Sequence, residues 1–81
     1  MATPISPAAK QLGDRVRAQR QELGISQEEL ARRSDLHWTF VGQVERGQRN
    51  LSQHNLLRLA KGLKVDPADL VQGLKAPRDH R

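Results

Sequence analysis

The strongest constraint on the fold of this chain is a pair of short helical segments with very few residues between them. A capping-box pattern, with Ser26 at the N-cap and Glu29 three residues later, predicts a helix over residues 27–33. A second amphipathic stretch predicts a helix over residues 37–46, which a glycine ends. Because only residues 34–36 separate the two helices, the chain has to turn sharply there. This is the pattern of a helix-turn-helix motif.

The side chains of this window also suit the packing that such a crossing demands. The first helix needs a small residue where the second crosses it, and Ala31 supplies one. The turn needs a residue that tolerates a left-handed backbone, and Asp35 does so at a modest cost where glycine is usual. The apolar residues that would hold the two helices together are Leu30, Leu36, Val41 and Val44.

Capping signals outside the window predict three further helices. Ser6 and Pro7 open a first helix over residues 7–23, Ser52 opens a fourth, and Asp66 with Pro67 opens a fifth. The apolar residues of these helices are Ala9, Leu12, Val16 and Leu23 in the first, Leu56, Leu57, Leu59, Ala60 and Leu63 in the fourth, and Leu70, Val71 and Leu74 in the fifth.

The composition favours helices over strands. Aromatic residues make up only 2% of the chain, so its core has to be built from Leu, Val, Ile and Ala. A sheet would favour β-branched and aromatic residues. The predicted fold is therefore all-α: one compact five-helix domain over residues 7–74, with a flexible start at residues 1–6 and a flexible tail at residues 75–81.

The charge of the chain indicates a polyanionic partner. Lys and Arg number 14 against 9 Asp and Glu, a formal charge of +5, which favours nucleic acid first and an anionic membrane second. No apolar run approaches the roughly 20 residues that span a bilayer, and residues 1–10 contain no apolar signal-peptide centre. We therefore expect no membrane partner and a cytoplasmic location.

No pattern of catalytic or metal-binding residues is found. The chain has no Cys, which excludes disulfides and thiolate zinc sites. Its three histidines, His37, His54 and His80, lack the spacing of metal ligands, and there is no glycine-rich phosphate loop. A helical domain of 81 residues has little room for a pocket that holds a nucleophile and a base. The sequence predicts neither an enzyme nor a metal or cofactor.

Three stretches of the chain resemble the Cro/cI-type (XRE) phage-repressor family. They read RVRAQRQELGISQEELARRS, FVGQVERGQRN and LLRLAKGLKVDPADLV, and together they lie between Leu12 and Val71. Within this family the run ERGQRNLS is similar to the controller proteins of restriction-modification systems, which are small five-helix regulators. The resemblance implies a DNA-binding protein of bacterial or phage origin that is associated with the nucleoid. Its third helix would enter the major groove.

The resemblance also implies which residues contact DNA bases. The exposed side of the third helix would carry Gln43 to bond adenine and Thr39 to contact a base edge or a thymine methyl. Trp38 offers apolar surface for a thymine methyl or the sugar-phosphate wall, and its alternatives are the core or a dimer contact. Gly42 would lie on the same side and allow close approach. The predicted base-contacting set is Trp38, Thr39, Gln43 and Arg49.

A second set is predicted to contact the DNA backbone. Relatives use a glutamine at the start of the second helix to bond a phosphate and to brace the recognition helix, and the helix N-terminus adds free N–H groups. The set consists of Gln27, His37, Arg46, Gln48 and Asn50. For Gln27 the alternative is a solvated helix residue. The remaining arginines are expected to be solvated and to add to the positive electrostatic field of the protein. They are Arg15, Arg17, Arg32 and Arg33, and some of them are expected near phosphates at the flanks of the dimer.

Arg20 and Glu45 resemble a buried ion pair of the family that links the first helix to the end of the third. Their alternative is a pair of unconnected surface charges. The pair is favoured because Arg20 stands where the apolar stripe of the first helix should continue.

The predicted function is a homodimeric transcription regulator on an inverted-repeat operator, with RNA polymerase as a possible second partner. After the core is filled, the apolar residues left for a dimer interface are Leu63, Val65, Val71 and Leu74. One alternative is an antitoxin or immunity protein that also binds a partner protein, although few residues are spare to wrap one. Another is an interaction module without DNA, which the +5 charge disfavours. Neighbouring genes would discriminate between these functions.

Overall fold

The computed structural model describes residues 3–76, and the elements in that part of the chain are all helices. They are α1 (Pro7–Leu23), α2 (Gln27–Ser34), α3 (Trp38–Glu45), α4 (Gln53–Leu63) and α5 (Pro67–Val71). The predicted all-α fold with five helices is confirmed. The domain boundaries stay predictions, and the predicted flexible ends fall partly on residues 1–2 and 77–81, outside the described residues.

Serine N-caps begin three of the helices, as the sequence predicts. The hydroxyls of Ser6, Ser26 and Ser52 accept hydrogen bonds of 3.0–3.1 Å from the backbone N–H three residues later. α3 begins one residue later than predicted because His37 is its cap. The Nδ1 atom of His37 accepts a 3.1 Å hydrogen bond from the Thr39 N–H.

Two helices end on non-glycine residues in the left-handed region. Asp35, after α2, has a φ of 55°, which the sequence predicts from its place in the turn. Lys64, after α4, has a φ of 60°, and nothing in the sequence indicates it. α5 ends at Val71, so Leu74 lies beyond the helix that was predicted to carry it.

The core lies between α1, α2, α3 and α4, with α5 closing one side of it. Its buried side chains are Val16, Leu30, Ala31, Val41, Val44, Leu59, Ala60, Leu63 and Leu70. Leu63 is 1% exposed, so it belongs to the core of a single chain and has no surface to offer a dimer partner. Leu23 and Leu57 were predicted to lie on the apolar faces of their helices, but both are exposed, because no other part of the described chain covers them.

Gly13 sets how closely α1 approaches the end of α3. A Cβ atom at this position would collide with the backbone carbonyl oxygen of Val44 and would lie 2.8 Å from that of Glu45. Backbone atoms cannot move aside as flexible side-chain ends can, so only glycine fits here. The contact brings Glu45 within reach of α1, and this positions the polar network described next.

Candidate nucleic-acid interface

α3 divides into a buried side and an outer side. Val41 and Val44 are buried against the core, whereas Thr39 is exposed and Gln43 is half-buried one turn further along the outer side. Trp38 is 56% exposed, which places its indole outside the core of the chain. The structure therefore brings three of the four predicted base-contacting residues to one accessible helix surface.

The last residue of α3 is held by a buried ion pair with α1. Arg20 Nε lies 2.6 Å from Glu45 Oε2, and Arg20 Nη2 lies 3.0 Å from Glu45 Oε1. The side chain of Glu45 is 3% exposed and that of Arg20 is 14% exposed. Arg20 Nη1 also donates to the backbone carbonyl of Ile25, at 3.0 Å. The pair joins α1, the α1–α2 connection and α3, and its charges are compensated within the protein.

Gln27 extends this network to the start of α2. Its Nε2 atom donates a 3.0 Å hydrogen bond to Glu45 Oε1. The same carboxylate oxygen accepts a hydrogen bond from Arg20 Nη2. One of the two Nε2 protons is thereby engaged inside the protein. The hydrogen bond braces α2 against α3, as the family resemblance implies for this glutamine, and its phosphate contact stays a prediction.

The position of Gly42 differs from the prediction. It was expected to be open for close approach to DNA, but the residue is buried. Side chains cover it: an added Cβ would lie 3.2 Å from Arg46 Nη1 and 3.5 Å from Gln27 Oε1. The missing side chain therefore makes room for two predicted backbone-contacting residues to lie across α3.

The remaining predicted contacts surround this surface. Arg46 Nε donates to Gln48 Oε1 at 3.3 Å, and Asn50 is exposed in the same loop. The guanidinium carbon of Arg49 lies 5.2 Å from the ring centroid of Phe40, which is a cation–π distance. His37, the α3 cap, is exposed beside Trp38, with a ring-centroid distance of 6.2 Å. Phe40 therefore steadies Arg49, a role that its spacing in the sequence does not indicate.

Three of the arginines that were predicted to be solvated make specific contacts, although Arg32 remains exposed. Arg15 Nη1 donates to the carbonyls of Leu70 and Gln72, at 3.2 and 2.6 Å, because the end of α5 leaves those carbonyls without helical partners. Arg32 and Arg33 bond the side chain of Glu29 at 2.5–3.0 Å. This engages the Glu29 carboxylate away from the backbone N–H that a reciprocal capping box would use.

These two arginines also change the acidity of Glu29. Hydrogen bonds from Arg32 and then Arg33 lower the pKa of Glu29 from 4.5 to about 2. The same carboxylate raises the pKa of Arg32. The cluster therefore keeps its charges at any pH near neutrality and lies on the exposed surface of α2.

The predicted dimer residues in and around α5 differ in their exposure. Val71 is 38% exposed, and Val65 and Leu74 are half-buried. With Leu63 in the core, these are the predicted dimer residues that retain surface for a partner.

Among residues 3–76, every helix is too short or too polar to cross a membrane.

Comparisons with known proteins give the family. A helix-turn-helix family model matches residues 16–70, more than half of the chain. Control protein C.BamHI of Bacillus amyloliquefaciens is 47% identical over 47 residues, a match that spans 58% of this chain and 58% of the length of that protein. The crystal structure of the restriction-modification controller protein C.AhdI from Aeromonas hydrophila is 47% identical, with a TM-score of 0.75 over 76% of this chain and 94% of that chain.

An operator complex is also similar. The P22 c2 repressor protein, crystallised with synthetic operator 9T, is 34% identical, with a TM-score of 0.72 over 76% of this chain and 94% of that chain. The predicted family resemblance is confirmed, and the family consists of DNA-binding regulators rather than enzymes. This chain belongs to the helix-turn-helix family of the Cro/cI (XRE) type, and it is a DNA-binding transcription regulator with restriction-modification controller proteins among its relatives.

Proposed function

We propose that this chain is a homodimeric, sequence-specific regulator that binds an inverted-repeat operator, controls its own promoter and serves a restriction-modification system. The names of the relatives C.BamHI and C.AhdI support the last part. The protein acts in the cytoplasm, at the nucleoid. It either blocks RNA polymerase at the operator or activates by contacting a polymerase bound beside it.

The observation that carries this proposal is the outer side of α3. It presents Thr39 and Gln43 one turn apart, beside an exposed Trp38, and its last residue is fixed by the buried network. The Gln43 amide matches the adjacent donor and acceptor of adenine in the major groove. Thr39 suits a base edge, and the Trp38 indole suits a thymine methyl or the sugar-phosphate wall. A helix held this firmly needs little reorganisation when it docks.

Residues at the N-termini of α2 and α3 and in the loop after α3 would contact the DNA backbone on either side of these bases. Gln27 and His37 stand at helix N-termini, where free N–H groups and the positive end of the dipole favour phosphate. Arg46, Gln48 and Asn50 follow α3 in one loop. Arg49 stands over Phe40 in that loop, where its guanidinium is held for a base or a narrow minor groove.

A dimer follows from the small number of base pairs that one helix can contact. Two-fold symmetry then places the two copies of α3 about 34 Å apart, one turn of DNA. Val71, Val65 and Leu74 provide the self-complementary patch. Because this patch is small, we expect reversible dimerisation in the micromolar range, about −8 kcal/mol. Operator occupancy would then rise with more than the first power of protein concentration.

Selection of bound sequences from a random duplex pool tests the DNA part of the proposal. We expect enrichment of an inverted repeat whose half-site centres are separated by about one helical turn. Recovery of a single unrepeated site, or no enrichment over the starting pool, would contradict it. Transcription in vitro from a promoter that carries the enriched site then gives the sign of regulation.

The dimer surface has its own test. Changing Val71 and Leu74 together to Asp places charges in the patch, and we expect a folded monomer by sedimentation with weak binding to the enriched duplex. Leu57→Asp is the matched control, because Leu57 is an exposed apolar residue on α4 that lies outside the patch. A double variant that still sediments as a dimer would place the interface elsewhere.

A further inference from the structure

A groove beside the helix-turn-helix carries positive charge from α1 in addition to the charge of the proposed contacts. It runs between one side of α1 and the loop after α3. The polar side chains that matter here are Lys10, Asp14 and Arg17 from α1 and Arg46 and Gln48 from the loop. Arg46 and Gln48 are already proposed to contact the DNA backbone, so the groove is continuous with that surface.

The α1 side of the groove has one uncompensated cation. Lys10, Asp14 and Arg17 follow one another at intervals of four and three residues, which places them on one side of the helix. Lys10 Nζ lies 2.6 Å from Asp14 Oδ1. Arg17 is exposed and makes no hydrogen bond or ion pair with the described residues. Its guanidinium is therefore available to an external anion.

The loop side adds a second guanidinium without a carboxylate partner. Arg46 bonds the neutral side chain of Gln48 and lies over Gly42. Glu45 also borders the groove, but Arg20 and Gln27 engage both of its carboxylate oxygens. Three cations thus face the groove against the single accessible carboxylate of Asp14, and the field there is positive.

The two sides of the groove are held together by close backbone contacts. Gly47 approaches α1 so closely that a Cβ atom on it would lie 3.0 Å from the Cα atom of Lys10. The Ile5 N–H donates to the Gly47 carbonyl at 2.8 Å. The cationic side of α1 is therefore fixed beside the loop that follows α3. A molecule that binds the loop also lies close to this side of α1.

We propose that this groove binds the phosphodiester backbone of duplex DNA outside the base pairs that α3 contacts, with Arg17 as its principal ligand. The inference rests on the proposed function, because it requires the loop after α3 to lie on DNA. Guanidinium groups match phosphate oxygens well, and a phosphate contact adds affinity without sequence preference. Asp14 opposes the phosphates and weakens the contact.

A salt titration with a mixed-sequence duplex tests the role of Arg17. Each phosphate contact contributes about 0.9 to the slope of log affinity against log salt concentration. Arg17→Ala should flatten the slope by about that amount. Arg58→Ala removes the same charge from an exposed position on α4 and should leave the slope unchanged. Equal slopes for the two variants would overturn the proposal, and equal melting temperatures verify that both are folded.

A second variant changes affinity in the opposite direction. Asp14→Asn removes the charge that repels phosphate, so it should bind the mixed-sequence duplex more tightly than the unsubstituted chain. Glu22→Gln removes one negative charge from an exposed position on the same helix and should have little effect. If both variants gain affinity equally, only the net charge matters and the groove is not a site.

These results separate the groove from the function on which it rests. If the unsubstituted chain binds no duplex, the proposed function fails and the groove fails with it. If the chain binds an enriched operator and Gln43→Ala weakens that binding, while the Arg17 and Asp14 variants behave like their controls, the groove alone is refuted.

Discussion

The two ends of α3 lie in opposite environments. Its first turn carries Trp38, 56% exposed, and an exposed Thr39. Its last residue, Glu45, is 6% exposed and bonded to both Arg20 and Gln27. One end thus has polar groups open to an outside partner, and the other has polar groups satisfied within the protein. A single eight-residue helix is both anchored and available for recognition because the two tasks are divided along its length.

The difference has a consequence for substitutions. Removing one member of a buried charged network leaves its partner without compensation in a medium of low dielectric, which destabilises the fold. Removing an exposed polar side chain costs the fold little, because water replaces its contacts. We therefore expect changes at the anchored end to lower stability and changes at the open end to lower DNA affinity.

The largest expected effect is at the anchored end. Glu45→Ala leaves the Arg20 cation buried without a partner, and we expect it to cost about 3–5 kcal/mol of unfolding free energy. That approaches the whole stability of many small domains, about 5–15 kcal/mol. Urea denaturation measures the loss, with Glu22→Ala as an exposed control on α1. An unchanged denaturation midpoint for Glu45→Ala would show that the network contributes nothing to anchoring α3.

A smaller effect is expected where α1 meets the anchored end. Replacing a helical glycine by alanine normally stabilises a protein by about 0.5–1 kcal/mol. At Gly13 the sign should reverse, because the new Cβ collides with the carbonyl oxygens of Val44 and Glu45. Overpacking of this kind costs about 1–3 kcal/mol. If Gly13→Ala raises the midpoint of urea denaturation, α1 and α3 are not in the close contact described.

The smallest effect concerns charged groups at the surface of α2. Because Arg32 and Arg33 lower the pKa of Glu29 from 4.5 to about 2, the folded chain binds fewer protons there than the unfolded chain. The resulting stabilisation is fully present above pH 4.5 and is lost as the pH falls toward about 2. Denaturation midpoints across that window should fall less steeply for Glu29→Gln than for the unsubstituted chain. Glu28→Gln is the neighbouring control, and an equal change for both variants would show that the arginine pairing has no effect on stability.

Local chemistry explains most of what the sequence predicted correctly. Ser6, Ser26 and Ser52 cap helices because their hydroxyls bond N–H groups only three residues away. The left-handed turn at Asp35 likewise depends on the residues that flank it. The family resemblance pointed to Arg20 and Glu45, which the structure brings together.

The features that sequence reasoning missed depend on contacts between distant segments. Arg15 bonds carbonyls near the end of α5, more than fifty residues along the chain, and no local pattern indicates that. Leu63 satisfied the apolar pattern equally well as core or as interface, and only packing assigned it to the core. The cover of Gly42 by Gln27 and Arg46 depends on side chains from outside α3, so no pattern within that helix indicates it.

The central claim, that the outer side of α3 recognises bases while the buried network at Glu45 anchors the helix, is tested most directly by one substitution. Gln43→Ala should cost roughly 1–3 kcal/mol in binding to the enriched operator and much less in binding to a mixed-sequence duplex. Its urea denaturation midpoint should equal that of the unsubstituted chain. Equal losses of affinity on both duplexes, or a loss of stability without a loss of specificity, would contradict the account.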